Sequence, residues 1–193
     1  MEPSIRPERI AQLPPRERII DAAQALFFEQ GIARVTVDAI AAQAGSTKMT
    51  LYRHFETKDV LVLEWLRLLT EQYNAVLDEL AQQWPGQPKQ QLLGFAEFIA
   101  ASLATSGYRG CPFTNSLAEL ADPQHPARQL IESHKQRQFG RLTTLCQQAG
   151  LPEPIYMAQE LTLLLEGAQV VAQNKGVSEV AVHLLRMVNA RLA

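Results

Sequence analysis

Apolar side chains recur at helical spacing along almost the whole chain. From Arg16 onward they fall three, four or seven positions apart, as Ile19, Ala23 and Leu26 do, and this spacing is typical of one face of an amphipathic helix. Glycine and proline interrupt the pattern between segments, and no alternation of apolar and polar residues is long enough to predict a β-strand. The pattern therefore predicts an all-α protein of about nine helices. They lie from Arg16 to Gly31, between Thr36 and Gly45, at 47–55, from Thr57 to Trp84, and at 88–106, 114–121, 126–149, 154–174 and 178–192.

Short polar residues mark where the early helices begin. Thr36 and Thr57 stand where an N-cap is expected, because a threonine oxygen can accept a hydrogen bond from a free backbone N–H of the first turn. Val35 and Ile40 flank Thr36 at the spacing of a hydrophobic staple. Residues 1–15 carry four prolines and no periodicity, so we expect them to form a disordered arm ahead of the helices.

The composition excludes several classes of protein. Of the 193 residues 47% are apolar and 20% are charged, which is ordinary for a globular protein. A formal net charge of −2 excludes a basic tail or a histone-like mode of nucleic-acid binding, although it leaves room for a local basic patch. Two cysteines make no disulfide framework, and there is neither an apolar signal segment nor a run of about 18 apolar residues. We therefore expect a cytoplasmic protein with no membrane contact.

The segment TVDAIAAQAGSTKMTLYRHF, residues 36–55, has the pattern of a helix-turn-helix. Ala41 would let the two short helices approach closely, and Gly45, four positions later, tolerates the positive φ that a tight turn needs. Apolar side chains on both helices would anchor them to a core, namely Ile40, Leu51 and Phe55. The alternative is an amphipathic helix pair that serves only packing.

The remaining side chains of the second short helix are suited to DNA. They are polar or cationic: Thr47, Lys48, Thr50, Tyr52, Arg53 and His54. A short helix with an apolar back and such a front fits a major groove. Lys48, Arg53 and Lys58 also give residues 46–58 three cations against one acid, Glu56. Thr36 and Tyr52 add neutral phosphate ligands at helix termini.

Residues 16–62 resemble the N-terminal DNA-binding domain of the TetR/AcrR family of bacterial transcriptional regulators. The resemblance rests on RERIIDAAQALFFEQG, VTVDAIAAQAG and STKMTLYRHFETKDVL. It implies a three-helix DNA-binding domain over 16–62 and a helical domain for ligand binding and dimerisation over 63–193. It further implies a homodimer that binds a palindromic operator in double-stranded DNA, usually as a repressor, and that a small effector releases.

Carried over by position, the resemblance assigns DNA contacts to nine residues: Thr36, Ser46, Thr47, Lys48, Thr50, Tyr52, Arg53, His54 and Lys58. Arg53 stands at a position that varies in the family. Ser46 replaces an apolar residue that is commoner there, and Met49 replaces a small one. Met49 could contact a thymine methyl group. These departures concern which operator is bound rather than the fold.

The last two helices are the candidates for dimerisation. The segment 156–173 is apolar around much of its circumference, so both of its faces need to be covered. Leu163 and Val170 widen its main stripe. The predicted interface comprises Leu161, Leu164, Leu165, Ala168, Val171, Leu184, Leu185 and Val188, which could form a four-helix contact about a two-fold axis. The alternative is that 156–173 is a core helix within one chain.

The effector pocket would lie among the helices at 57–84, 88–106 and 126–149. Its candidate lining is Trp65, Leu69, Phe95, Phe98, Ile99, Tyr108, Phe113 and Asn115. Such a lining is mostly apolar with few polar groups, which suggests a small and largely hydrophobic effector. Aromatic residues at helical spacing can equally be core residues.

The other reactive residue types predict no cofactor, no metal and no catalysis. His125 and His134 are not at a metal-ligand spacing, and the chain has no phosphate loop or catalytic triad, so an enzyme lacks support. A loop thiol at Cys111 beside Arg109 could sense oxidants, or could be a small buried residue in a turn. Cys146 lies on an apolar helix face and is expected in the core. A helical interaction module remains the other alternative to a regulator.

Overall fold

The computed structural model describes residues 13–105 and 109–193, apart from the side chains of residues 104 and 105. Within them it contains nine α-helices and no β-strand, which confirms the predicted all-α class. The helices are α1 Pro15–Gln30, α2 Val37–Gln43, α3 Lys48–His54, α4 Lys58–Gln83, α5 Pro88–Thr105, α6 Pro112–Glu119, α7 Pro126–Gln148, α8 Pro154–Asn174 and α9 Val180–Leu192. The arm predicted at 1–15 lies outside the described residues up to residue 12, and α1 already begins at Pro15.

The chain folds as two compact units. Of the described residues, the first comprises 13–68 together with Ser116–Leu130, and the second comprises 69–105, 109–115 and Ile131–Ala193. This division differs from the predicted boundary after residue 62, because the break falls inside α4. It also groups Ser116–Leu130, the end of α6 and the start of α7, with the N-terminal helices.

The predicted caps form in the first unit. Thr36 Oγ1 accepts a hydrogen bond from Ala39 N at 3.1 Å at the start of α2. Thr57 Oγ1 accepts one from Val60 N at 3.2 Å at the start of α4. Val35 and Ile40 are both buried around the Thr36 cap. The starts of α2 and α4 are therefore fixed by local hydrogen bonds that the sequence predicted.

Aromatic packing adds to the core of the first unit. The ring centroids of Phe27 in α1 and Trp65 in α4 are 5.3 Å apart, and both side chains are buried. The sequence predicts Trp65 in the effector pocket. In the structure this residue belongs to the first unit, where its indole packs against Phe27 in the core beneath α1.

The second unit is built around the packing of its C-terminal helix. α9 packs against α5 and α8, and α8 also packs against α5. The largest fully buried side chains of this unit are Phe95, Ile99, Phe113, His134, Leu142 and Leu184, together with Ile131. Cys146 is fully buried, as predicted, and burial raises the pKa of its thiol. A thiol in such a position is inert.

A charged cluster ties α1 to α4 in the first unit. The Glu64 carboxylate accepts a hydrogen bond from Arg67 Nε at 2.8 Å and another from the Arg16 guanidinium. The hydrogen bond from Arg67 lowers the pKa of Glu64 to about 2; burial opposes this, and Arg16 adds to the lowering. The Arg16 guanidinium also lies 5.3 Å from the centroid of the Phe55 ring. Glu64 thus connects the start of α1 to the first half of α4.

We expect this cluster to make stability depend on pH. The folded pKa of Glu64 lies below its ordinary value of 4.5, so its contribution is complete above that value and is lost as pH falls toward about 2. Chemical unfolding followed by circular dichroism at pH 6 and pH 3 measures the loss. The wild type should lose about 1–2 kcal/mol more than Glu64→Gln, a figure reduced for partial solvent screening.

Glu17→Gln is the matched control, because Glu17 is an exposed carboxylate in the first turn of α1. It should lose as much stability as the wild type over the same interval. An equal loss in the wild type and in Glu64→Gln would show that the cluster does not stabilise the fold.

Candidate nucleic-acid interface

The turn between α2 and α3 is fixed by its backbone. Gly45 has a φ of 56°, the positive value that the sequence predicted for this position. The N–H of Ser46 donates to Ala41 O at 2.9 Å, and the Arg18 guanidinium donates to Gly45 O at 3.2 Å. Because Arg18 belongs to α1, the turn is held to the helix beneath it as well as to α2.

The back of the two short helices is buried. Ile40, Ala41, Leu51 and Phe55 all lie in the core, as predicted, and α1 packs against both α2 and α3. Leu51 is the buried residue of α3, and Phe55 follows it as the C-cap residue. Because α3 is so short and is anchored by Leu51 and Phe55, its other side chains lie at the surface.

The front of α3 is exposed. Lys48, Met49, Tyr52, Arg53 and His54 are all accessible, with Met49 at 70% and Tyr52 at 45% of their full exposure. An apolar thioether, a phenol and two cations therefore project from one short helix. This mixture can contact base edges, thymine methyl groups and phosphates.

Three predicted DNA ligands also cap helices or support the turn. Thr47 is the N-cap of α3, its Oγ1 accepts from Thr50 N at 3.1 Å, and the two threonine hydroxyls lie 2.9 Å apart. Thr36 caps α2, and Ser46 is half-buried. A hydroxyl has one donor and two acceptor sites, so these groups keep capacity for a phosphate beyond the cap.

The cations of this surface differ in their partners. Lys58 is half-buried, and its ammonium donates to Ile32 O. Lys48 Nζ lies 3.2 Å from Asp38 Oδ2 on α2. Arg53 has no ion pair or hydrogen bond within the described residues. The sequence indicated the three cations but not the contact between Lys48 and Asp38, because these two residues are ten positions apart in the chain.

Glu119, at the end of α6, supports the loop that leads into α2. Its Oε2 accepts a hydrogen bond from Ala33 N at 2.6 Å. Gly31, two residues before Ala33, has a φ of 84°, and this positive value favours glycine at the position. Glu119 is 86 positions from Ala33, and no local pattern could have identified it.

Most of the predicted effector residues gather in the second unit. The Phe95 and Phe98 rings stack at 6.2 Å, and Tyr73 stands edge-on to Phe98 at 5.3 Å and to Phe113 at 5.2 Å. Ile99 is buried and Leu69 is half-buried. Asn115 Nδ2 donates to Arg109 O at 2.6 Å, so it fixes the start of α6. Tyr108 lies outside the described residues.

Two polar residues that sequence reasoning missed belong to the same aromatic cluster. His134 packs on Phe113 with ring centroids 4.5 Å apart, and both of its ring nitrogens are buried without a hydrogen-bond partner in the described chain. Burial, followed by the charges of Lys135 and Arg137, lowers the pKa of His134 to about 4. Burial likewise raises the pKa of Tyr73. The histidine is therefore neutral at physiological pH.

Cys111 lies beside this cluster. Its Sγ is 3.7 Å from Lys135 Nζ, and the same ammonium pairs with Glu166. Its side chain is buried, which favours the interpretation as a small turn residue.

The predicted dimer stripe divides into two sets. Leu161, Leu165, Ala168, Leu184 and Val188 are buried within the chain itself, so for these the alternative of a core helix applies. Leu164, Val171 and Leu185 are half-buried. The exposed apolar side chains of the two helices are others: Ile155, Tyr156, Leu163 and Val170 on α8, and Val182 and Met187 on α9. α8 packs against α5 and α9, which accounts for the burial of the first set.

The described residues hold no group of three or more histidine, cysteine, aspartate or glutamate side chains that could bind a metal ion. Among the same residues, no helix has the length and apolar character needed to cross a bilayer.

Known proteins are similar to this chain in sequence and in fold. The family model described as "Bacterial regulatory proteins, tetR family" matches residues 19–65. The HTH-type transcriptional regulator YjdC of Escherichia coli (strain K12) is 26% identical over 79% of this chain and 80% of its own length.

Solved structures extend the likeness to the second unit. SCO4454, a TetR-family transcriptional regulator from Streptomyces coelicolor, is 30% identical over 92% of this chain and 94% of its own, with a TM-score of 0.86. A TetR transcriptional regulator from Streptomyces avermitilis is 25% identical over 93% of this chain and 98% of its own, with a TM-score of 0.72. With a matching N-terminal domain and a relative this similar over nearly its full length, the chain belongs to the TetR family of transcriptional regulators.

Proposed function

We propose that this regulator is a repressor that binds a palindromic operator as a homodimer and leaves it when a small, largely apolar effector enters the second unit. The observation that carries the proposal is the division of α3 into a buried back and an exposed front of Lys48, Met49, Tyr52 and Arg53. Such a helix can enter a major groove without exposing its core.

The charge distribution supports binding to a specific site by two subunits. Residues 1–64 hold eight Lys and Arg residues against nine Asp and Glu residues, so this region is not basic in bulk. Non-specific binding depends on how many phosphates the protein neutralises, so one DNA-binding domain with few free cations would bind arbitrary DNA weakly. Two such domains on one palindromic site would act together and raise the affinity for that site.

The exposed apolar side chains of α8 support the homodimer. Tyr156, Leu163 and Val170 recur every seven residues along the helix, and Leu163 keeps 73% of its full exposure. Beside them lies an open groove of about 450 Å³, lined by Glu160, Leu163, Leu164, Met187, Ala190 and Arg191 of α8 and α9. A β-carbon at Gly167 would meet no neighbouring atom within 4 Å, so a partner could also approach the backbone of α8 at this position.

A second copy of the chain is the occupant that fits this surface. TetR-family regulators typically dimerise. A two-fold axis would bring α8 and α9 of both copies into one four-helix contact and cover the exposed leucine and valine. Half-buried Leu164, Val171 and Leu185 would then become fully buried, in keeping with their place in the predicted interface.

The aromatic cluster of the second unit supports an effector that is mostly apolar but carries a polar group. Tyr73 packs edge to face on Phe98 and on Phe113, and these rings would line the surroundings of an apolar molecule that enters this cluster. A neutral imidazole can donate from one nitrogen and accept at the other, and among the described residues His134 has no partner for either nitrogen. A buried polar group without a partner is costly, so a ligand that bonds to His134 would gain affinity there.

DNA binding and its salt dependence test the proposed function. The protein should bind a duplex from the region flanking its own coding sequence, and the affinity should fall steeply as salt rises. Arg53→Ala should flatten the slope of log K against log salt by about 0.9 for each phosphate that Arg53 neutralises in the wild type, or about twice that for a dimer. Fluorescence anisotropy across a salt series measures both quantities.

Arg137→Ala is the matched control, because Arg137 is an exposed arginine on α7 of the second unit. Its slope should equal that of the wild type. A folded, dimeric wild type that binds no flanking duplex even at low salt would refute the proposal. Compounds that release the bound duplex would identify the effector.

A charge on the exposed stripe of α8 tests the dimer. Leu163→Glu should weaken self-association by at least about 100-fold, because two unpaired carboxylates would have to be buried in the interface. Sedimentation velocity should show a monomer at concentrations where the wild type is a dimer. Affinity for the operator duplex should fall with it.

Val177→Glu provides the comparison, since Val177 is an exposed valine in the segment between α8 and α9. It should sediment as the wild type does. A Leu163→Glu protein that remains dimeric would place the interface elsewhere.

A further inference from the structure

A single carboxylate lies among the side chains that would face DNA. Asp38, in the first turn of α2, is the only acidic residue in 36–54. Its side chain keeps 71% of its full exposure, and that of Lys48 keeps 53%. The two side chains meet, with Lys48 Nζ 3.2 Å from Asp38 Oδ2. Asp38 thus bridges from α2 to the first residue of α3.

The fold does not need this ion pair. Ion pairs between exposed side chains add little to stability, because water and salt screen them. Asp38 does favour α2 from its first turn through the helix dipole, but that effect does not require Lys48. A carboxylate on this surface would also repel phosphates and would occupy the lysine that could bind them. The pair therefore calls for an explanation in terms of DNA recognition.

The major-groove edge of a G·C pair has the complementary chemistry. Guanine presents two acceptors there, O6 and N7, and cytosine presents the donor N4–H₂. Lysine pairs with guanine and aspartate with cytosine in direct readout. An ammonium and a carboxylate held side by side match the two bases of one pair. An A·T pair presents the donor N6–H₂ where guanine has O6 and the acceptor O4 where cytosine has its donor, with a methyl group beside O4. The ammonium then keeps only one purine acceptor, N7, and the carboxylate faces another acceptor.

We propose that Asp38 is a specificity-determining residue and that the Asp38–Lys48 pair reads one G·C base pair in each half of the operator. Lys48 donates to guanine O6 and N7 while Asp38 accepts from cytosine N4. On other DNA sequences the Asp38 carboxylate stays paired with Lys48 and repels the phosphates. It thereby lowers the affinity for DNA of arbitrary sequence. This inference rests on the proposed function, since it requires α2 and α3 to face a major groove.

The test begins with selection from a pool of random 30-base-pair duplexes by the wild-type protein. One position per half-site should be G·C, and replacing it by A·T should weaken binding about ten-fold or more. In Asp38→Ala this preference should fall below about three-fold. In Asp38→Asn it should shift toward A·T, because asparagine pairs with adenine N6 and N7.

Affinity for a scrambled duplex gives an independent readout. Asp38→Ala and Asp38→Asn should both bind it more tightly than the wild type, because Lys48 is freed for phosphates. The slope of log K against log salt should steepen by about 0.9 for each phosphate that the freed Lys48 binds. In an Asp38→Ala, Lys48→Gln double variant this increase in affinity should disappear. Circular dichroism melting of every variant establishes that the helices remain folded.

Asp21→Asn is the control for bulk charge, since Asp21 is an exposed aspartate on α1 and its loss changes the net charge equally. Its base preference and its scrambled-duplex affinity should match the wild type. The inference is overturned if the Asp38 variants keep the wild-type G·C preference, if Asp21→Asn reproduces their effects, or if wild type selects A·T at every position. A wild type that selects no duplex at all refutes the proposed function instead.

Discussion

The anchoring of α3 is the constraint on which the surface of this regulator depends. The helix has seven residues, and Leu51 is its buried one, with Phe55 buried directly after it. So short a helix has little stability of its own, because nucleation costs more than its few hydrogen bonds return. It persists because Leu51 packs in a core with Ile40 and because Thr47 satisfies the N–H of Thr50. Every exposed side chain of α3 takes its position from these fixed points.

The rest of the first unit keeps that core in place. Arg18 holds the Gly45 turn from below, and Glu119 holds the loop before α2 through Ala33. Glu64 joins α1 to α4 through Arg16 and Arg67. These are polar interactions at the edges of an apolar core, where each individual bond contributes modestly but fixes direction. Orientation of the helices, more than their formation, depends on them.

Positive and negative charges are close to balanced on the exposed surface of α2 and α3, the surface that we propose faces DNA. Lys58 is engaged by a backbone carbonyl and Lys48 by Asp38, so the number of cations in 46–58 overstates how many are free. A regulator must leave non-specific DNA readily, and counterion release would otherwise make every duplex a competitor. A mixed surface favours recognition of base edges over phosphates, and the near-neutral composition of the chain is consistent with this.

The sequence by itself determined the all-α class, the helix boundaries to within about two residues, the caps at Thr36 and Thr57, and the buried back of α3. These features arise from interactions between near neighbours, in which periodicity and cap chemistry are visible along the chain. It did not determine which face of α8 is the inner one, since a helix that is apolar on two sides gives no local signal to choose between Leu161 and Leu163. Nor could it show that Trp65 belongs to the first unit, that Glu119 reaches Ala33, or that His134 lies among Tyr73 and Phe113. Those facts depend on which distant helices pack together, and only the tertiary structure brings such residues into contact.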